Sequence, residues 1–261
     1  MEKNTLHLLV ETGVYGISYT WFTKGPVALK GISVYNFSGN SFEKDIKASL
    51  HEQGSLLDGL ASVTICFDFK ESVLIPDKFT NSQINEQSLY LLYGEDQHAV
   101  KLNDHITAAG IVNQYRVEEK LKKIIDQFFP NATVFHSTSL QLENMSNSTN
   151  LLRCIFFHNS IKVILYNEGQ LMLVQQFFYS NPDDVAYHLL NVCEQNGVSP
   201  SIIPLVLSGM IDEQSKLYTS IYNYFLHLSF DSPEENNFAT AGLKELPAHY
   251  FSHIISLASC V

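Results

Sequence analysis

Residues 151–179, LLRCIFFHNSIKVILYNEGQLMLVQQFFY, decide the fold. Leu151 to Phe157, Ile161 to Tyr166 and Leu171 to Tyr179 are apolar or β-branched runs of strand length. His158-Asn159-Ser160 and Asn167-Glu168-Gly169-Gln170 between them are turn signals. Connections this short join antiparallel neighbours, so the stretch predicts a three-stranded meander. A helix follows directly. Asn181 can cap it, Pro182 sits where the first helical residue lacks a partner anyway, and Asp183 and Asp184 face the positive end of the dipole. Val185, Leu189, Val192 and Cys193 then make one apolar stripe. After the helix comes the fully apolar segment Ile203 to Leu207, which reads as a buried strand.

The same order occurs earlier in the chain. Leu6 to Val10, Gly16 to Thr23 and Val27 to Phe37 are strand-like and separated by Thr12-Gly13 and Lys24-Gly25-Pro26. Asn40-Ser41 is a candidate cap for a helix carrying Phe42, Ile46 and Leu50 and ending near Gly54; Val63 to Phe67 is the matching inner strand. The offset between copies is steady, 141 positions from Asn40 to Asn181 and 142 from Val63 to Leu205. An internal duplication is therefore expected.

The remaining segments fit around this frame. Ser72 to Phe79 reads as a hairpin candidate, Ile84 to Tyr93 as a short helix, Ala99 to Leu102 and Ile111 to Arg116 as strands. Val117, Leu121, Ile124, Ile125 and Phe128 predict a helix over 117–129, stopped by Pro130. The polar stretch Gln141 to Asn150 is the expected hinge or connecting helix, which places the lobes at 1–137 and 138–261, with the C-terminal helix free to pack back on the first.

Composition narrows the function classes. The 261 residues are 45% hydrophobic and only 16% charged, and 27 acidic against 16 basic side chains give a net charge of −11. An acidic surface repels phosphate backbones, so no nucleic-acid partner is expected. No apolar run reaches the ~18 residues of a membrane span, and the N-terminus lacks a signal-peptide core, so no membrane insertion and a cytoplasmic location are expected. Cys66, Cys154, Cys193 and Cys260 are scattered and read as free thiols of a reducing compartment.

Two meanders, each followed by a helix and an inner strand, resemble the actin-like ATPase superfamily, whose lobes are ribonuclease-H-like. More closely, the starting segment LHLLVETGVYGIS (6–18), FHNSIKVILYNEGQL (157–171) and PAHYFSHI (247–254) are similar to a bacterial domain-of-unknown-function family numbered 3822. That family is similar in outline to the small actin-like proteins of pilus and type II secretion assembly. The resemblance implies an α/β chain with a duplicated ribonuclease-H-like fold, two lobes each holding a mixed sheet flanked by helices.

It also implies where a nucleotide and Mg²⁺ would sit. Active superfamily members carry D-x-G at the first hairpin of each lobe, because a metal–phosphate unit needs a carboxylate beside backbone amides. Here the first hairpin reads Glu11-Thr12-Gly13, with Glu in place of Asp and Ser18 where a basic residue often stands. The second, His158-Asn159-Ser160, has neither carboxylate nor glycine. The adenosine-side Gly-Gly pair becomes Ser208-Gly209, followed by Met210, which would crowd a nucleotide. With three motifs altered, the expectation is a pseudo-ATPase: a non-catalytic scaffold with an unidentified protein partner, no catalytic residue, no cofactor and no metal. The competing reading is a nucleotide-binding switch or weak Mg-ATPase that binds ATP and Mg²⁺ in the cleft through Glu11, Gly13, Ser208 and Gly209.

Other chemistries lack their residues. No Walker loop or G-x-S-x-G string exists. His249 and His253 stand at i,i+4, the spacing of two zinc ligands on one helix face, but the glutamate of H-E-x-x-H is missing. Tyr15, Tyr19, Trp21, Tyr35 and Phe37 are many aromatics for one meander, and with few charges to cover the surface some apolar area is expected to remain for protein contacts.

Overall fold

The computed structural model describes residues 5–38, 42–80, 82–145 and 149–261. The candidate cap Asn40-Ser41 and part of the expected hinge, 146–148, lie outside the described residues. The chain divides into two compact units. The first contains residues 1–144, 236–240 and 256–261, the second 145–235 and 241–255.

The first unit opens with the meander β1 (Leu6–Gly13), β2 (Gly16–Thr23) and β3 (Ala28–Asn36), followed by α1 (Phe42–Gln53) and the inner strand β4 (Ser62–Asp68). Next come β5 (Ser72–Pro76), α2 (Ser82–Tyr93), β6 (Ala99–Ile106), β7 (Ile111–Glu118), α3 (Glu119–Phe128), β8 (Thr133–His136) and α4 (Ser137–Asn144). The main sheet has the order β3-β2-β1-β4-β8. The meander is antiparallel, whereas β1, β4 and β8 run parallel. A separate three-stranded sheet, β5-β7-β6, is antiparallel throughout.

The second unit contains β9 (Leu151–Phe156), β10 (Ser160–Asn167), β11 (Gln170–Phe178), α5 (Pro182–Gln195), β12 (Leu205–Gly209), α6 (Lys216–Tyr222) and β13 (Leu228–Phe230), again a meander, a helix and an inner strand but, among the described residues, with no counterpart of the small sheet. Its sheet is β11-β10-β9-β12-β13, with β9, β12 and β13 parallel. Two short helices, α7 (Ala241–Lys244) and α8 (Ser252–Ser259), close the chain.

Period-2 alternation explains how each sheet finds its core. On β10, Ile161, Val163 and Leu165 face one way and meet Val185, Leu189 and Cys193 from the α5 stripe. In the first unit Leu8, Val10, Tyr19 and Ile65 meet Ile46 and Leu50 of α1, and Leu121, Ile124 and Ile125 of α3. Each fully buried Leu or Ile contributes about 1.5–3 kcal/mol. The α5 start is as expected: Asn181 accepts from the Asp183 and Asp184 N–H groups, and the Asp184 carboxylate accepts from the Asn181 N–H.

Three expectations shift. Val117 belongs to β7 and α3 starts only at Glu119, because Val117 pairs with Val100 across the small sheet and its apolar side chain served the strand as well as the helix pattern. Ser72 to Phe79 is no hairpin; β5 ends at Pro76 and pairs with β7, far along the chain. The second inner strand begins at Leu205, after Pro204, and runs on through Ser208 and Gly209, which pair with Ile155 and Phe156.

Candidate functional site

In parallel sheets, ligand sites gather at the carboxyl ends of the strands. In the first unit those ends bring together Glu11 and Gly13 of β1, Asp68 of β4 and His136 of β8. Glu11 pairs with Cys66, Gly13 with Asp68, and Phe67 with His136. The sequence pattern pointed to Glu11 and Gly13 but missed Asp68 and His136. The signal was present in the polar residue that ends each of these two apolar strands.

The hairpin itself is tight, with Val14 and Tyr15 alone between β1 and β2. A Cβ on Gly13 would lie 2.9 Å from the Asp68 carbonyl oxygen, so the glycine is required for β1 to reach β4. The Asp68 carboxylate accepts from Ser137 Oγ at 2.6 Å, fastening the first residue of α4 to the end of β4.

His136 is engaged through both ring nitrogens. Nε2 donates to the Phe69 carbonyl at 2.9 Å and Nδ1 accepts from the Thr138 N–H at 3.2 Å, an assignment fixed because a carbonyl can only accept. A ring held this way is neutral and keeps no lone pair for proton transfer. Its backbone N–H donates to the Asp104 carboxylate at 2.7 Å, which also accepts from the Tyr115 hydroxyl at 3.2 Å. Burial raises the Asp104 carboxyl above the ordinary range despite these bonds, and it raises the Tyr115 phenol as well. Cys66 lies under the same edge. Burial, then the carboxylates Glu11, Asp104 and Asp68, push its thiol well up, which disfavours the thiolate.

Ser208 and Gly209 lie in the second unit, at the carboxyl end of β12. Ser208 is fully buried. Gly209 has a left-handed φ of 79°, and a Cβ there would fall 2.2 Å from the Phe156 carbonyl oxygen, which also accepts from the Met210 N–H at 2.9 Å. The glycine lets β12 leave the sheet against the end of β9. This edge is otherwise made of Phe156, Phe157 and Phe230, with Asp231 held by Arg153 at 3.2 Å. Thus the four residues of the competing reading fall two in each unit, and each glycine has a reason within its own sheet.

His249 and His253 do not share a helix face. His249 sits in a single turn before α8, buried, with Nε2 2.7 Å from the Ile211 carbonyl and its ring stacked on Phe230; His253 lies on α8 against Phe157. Among the described residues no group of three or more His, Cys, Asp or Glu side chains has the arrangement of a metal site. No described helix is long and apolar enough to cross a membrane.

The first unit also holds a cavity of about 480 Å³ beside the hairpin tip. Val14 and Phe69 give it an apolar wall, and Lys70, His98, Arg116 and Lys120 line the rest together with acidic neighbours. Arg116 is a fixed floor: its Nε is paired with Glu71, and its two amino groups donate to the Gly94 and Tyr93 carbonyls at 2.8 and 3.1 Å. Lys70, His98 and Lys120 line the cavity together with Glu71, Asp96 and Glu118, of which Glu71 is paired with Arg116 and Asp96 accepts from the His98 N–H at 2.8 Å.

Comparison with known proteins fits this architecture. No curated protein matches the chain. A solved structure from Bacteroides thetaiotaomicron VPI-5482, a protein with actin-like ATPase fold and unknown function, is similar over 98% of this chain and 96% of that one, with a TM-score of 0.77 and 14% identity. A chain of the PilM–PilN type IV pilus biogenesis complex is similar over 97% of both chains, with a TM-score of 0.67 and 13% identity. The cytoplasmic domain of EpsL, from the type II secretion system of Vibrio cholerae, is similar over 97% and 93%, with a TM-score of 0.52 and 12% identity. The family described as "Protein of unknown function (DUF3822)" matches residues 1–228. The chain therefore has the actin-like ATPase fold and belongs to that family.

Proposed function

We propose that this protein is a pseudo-ATPase, a non-catalytic member of the actin-like fold that works as a cytoplasmic interaction or assembly scaffold and needs no nucleotide or metal. One observation carries the reading. Both glycines that would argue for a phosphate or adenosine cradle are consumed by the approach of their own strands, Gly13 to Asp68 and Gly209 to Phe156. The Asp68 and Asp104 carboxylates near the first edge are likewise engaged in holding α4 and β8.

The cavity beside Val14 is the surface offered to the partner. The apolar wall of Val14 and Phe69, with Lys70 and Lys120 beside it and the acids Glu71 and Asp96 already held by Arg116 and the His98 N–H, suits a short protein segment that buries an aliphatic or aromatic side chain and places a carboxylate near Lys70 or Lys120. The solved PilM–PilN complex, of the same fold, supports a reading in which this fold holds a protein partner.

Two measurements test it. A photo-crosslinking side chain in place of Val14, 57% exposed at the hairpin tip, is expected to trap a protein in the native cell, and the same group in place of exposed Lys44 is not. Mg·ATP titrated into the purified chain is expected to leave its unfolding midpoint unchanged. A concentration-dependent rise, or phosphate release abolished by Glu11→Ala, would overturn the scaffold reading in favour of a nucleotide switch.

A further inference from the structure

The three sheets of the described chain leave six edge strands: β3 and β8, β11 and β13, β5 and β6. An edge presents bare N–H and C=O groups that can template another chain, and proteins blunt it by shortness, charge, proline or a covering segment. Five of the six are managed. β8 has four residues and β13 three. β5 ends in Pro76, and β6 carries Lys101 and Asp104, the latter fastened to the His136 N–H. β3 carries Lys30 and is strapped by the chain itself: the Ala239 N–H donates to Leu29 at 3.0 Å, and Asn237 Nδ2 donates to the Val27 carbonyl at 2.7 Å.

β11 is long, uncharged and, among the described residues, uncovered, and its one irregularity is a bulge near its start. Its nine residues, QLMLVQQFF, contain no charge, proline or glycine. A bulge opposite Leu165 and Tyr166 makes Met172 the extra residue, so the strand is regular from Leu173 onward. The Tyr179 N–H donates to Asn159 on the β10 side. By alternation Leu173, Gln175 and Phe177 turn their backbone groups to β10, while Val174 and Gln176 turn theirs outward. No backbone hydrogen bond from elsewhere in the described chain reaches those two.

We propose that β11 pairs antiparallel with β11 of a second copy of this chain, across a two-fold axis through Gln175. Three features favour an identical strand as the occupant. Val174 then faces Gln176 of the other copy, twice by symmetry, and the outward groups close four N–H···O=C bonds. Leu173 faces Phe177, an aliphatic–aromatic pair that extends the core face both already belong to. The exposed Gln175 side chains meet on the axis, where a carboxamide is its own complement, each being donor and acceptor. Such an edge contact is smaller than the 1,200–2,000 Å² or so of a stable dimer, so association is weak, at roughly 10–100 µM. Glu168 and the Asp183-Asp184 pair flank the strand, so salt strengthens it by screening them.

Analytical ultracentrifugation of the full chain from about 5 to 300 µM, at low and high salt, tests this. The wild type is expected to dimerise, more tightly in salt. Gln175→Lys and Gln175→Glu each place like charges about 5 Å apart on the axis and weaken it about tenfold or more. Mixing the two variants restores association. A wild type that stays monomeric at every concentration, or variants that associate as it does, would overturn the proposal. Should a variant misfold, wild-type hydrogen exchange decides instead: the Val174 and Gln176 amides must gain protection as concentration rises. The outcome is independent of the cavity partner, because neither experiment uses the other's surface.

Discussion

Replacing Gly209 by alanine separates a packing glycine from a ligand-approach glycine. Two costs act at this position. The left-handed φ of 79° costs about 1–2 kcal/mol for any residue with a Cβ. The added carbon would also sit 2.2 Å from the Phe156 carbonyl oxygen and 3.0 Å from its nitrogen. Those are backbone atoms at the end of a central strand, so β9 and β12 must part, which costs about 1–3 kcal/mol more. The sum, about 2–5 kcal/mol, is a large share of the 5–15 kcal/mol or so that holds a domain folded. Gly197, just past α5, is the control: its φ is 64° but nothing lies within 4 Å of where a Cβ would stand, so Gly197→Ala suffers only the first cost. Urea unfolding followed by far-ultraviolet circular dichroism compares the two midpoints. If the two variants differ by less than about 0.5 kcal/mol, the close approach is not what fixes Gly209, and a nucleotide-facing role for this glycine returns.

Asn181→Ala removes the cap that accepts from two N–H groups at the start of α5, and is expected to cost about 1 kcal/mol in the same assay; no loss would mean the capping box is decorative. Tyr19→Phe deletes the buried hydroxyl 3.0 Å from Ser49 Oγ. It should cost about 1 kcal/mol, since Ser49 keeps its bond to the Ile46 carbonyl; a loss above about 3 kcal/mol would contradict that. Asp104 gives a pH signature. Burial raises its folded-state pKa above 3.8, so the folded chain holds this proton to higher pH than the unfolded chain, and stability falls as pH rises through the range just above 3.8. Asp104→Asn should lack that slope in unfolding midpoints measured from about pH 4 to 7, and equal slopes would refute the assignment.

Much of the sheet order could be read from local chemistry. Turn residues at Lys24-Gly25-Pro26 and Asn167-Glu168-Gly169 mark meanders, and Asn181-Pro182 announces a helix whose cap forms as expected. What local reading missed depends on distant partners. Val117 fits an amphipathic helix by spacing, but β6 is there to pair with it. Ser72 to Phe79 reads locally as a hairpin, while the partner of its one strand, β7, lies more than thirty residues on. At the candidate site, Glu11 and Gly13 were legible as a variant D-x-G pattern. Asp68 and His136 were visible only as polar residues ending apolar strands, and it is the parallel pairing of β1, β4 and β8 that brings the three strand ends to one edge.

At that edge two acidic residues, Asp68 and Asp104, have structural partners of their own. The last turn of a parallel strand must hand the chain to a helix, and the first N–H groups of that helix have no partner within it. Here Asp68 takes the Ser137 hydroxyl at the start of α4, and Asp104, reaching from the small sheet, takes the His136 N–H just before it. Two carboxylates thus fix one strand-to-helix junction, and the cost of burying Asp104 is visible in its raised pKa. In the second unit the turn after β12 is made at Gly209 by backbone proximity and aromatic packing, and the nearby Asp231 is paired with Arg153. If the acids served catalysis, removing the acceptor by Asp68→Ala would spare stability; if they serve the junction, it loosens α4, and amide exchange at the helix start rises first.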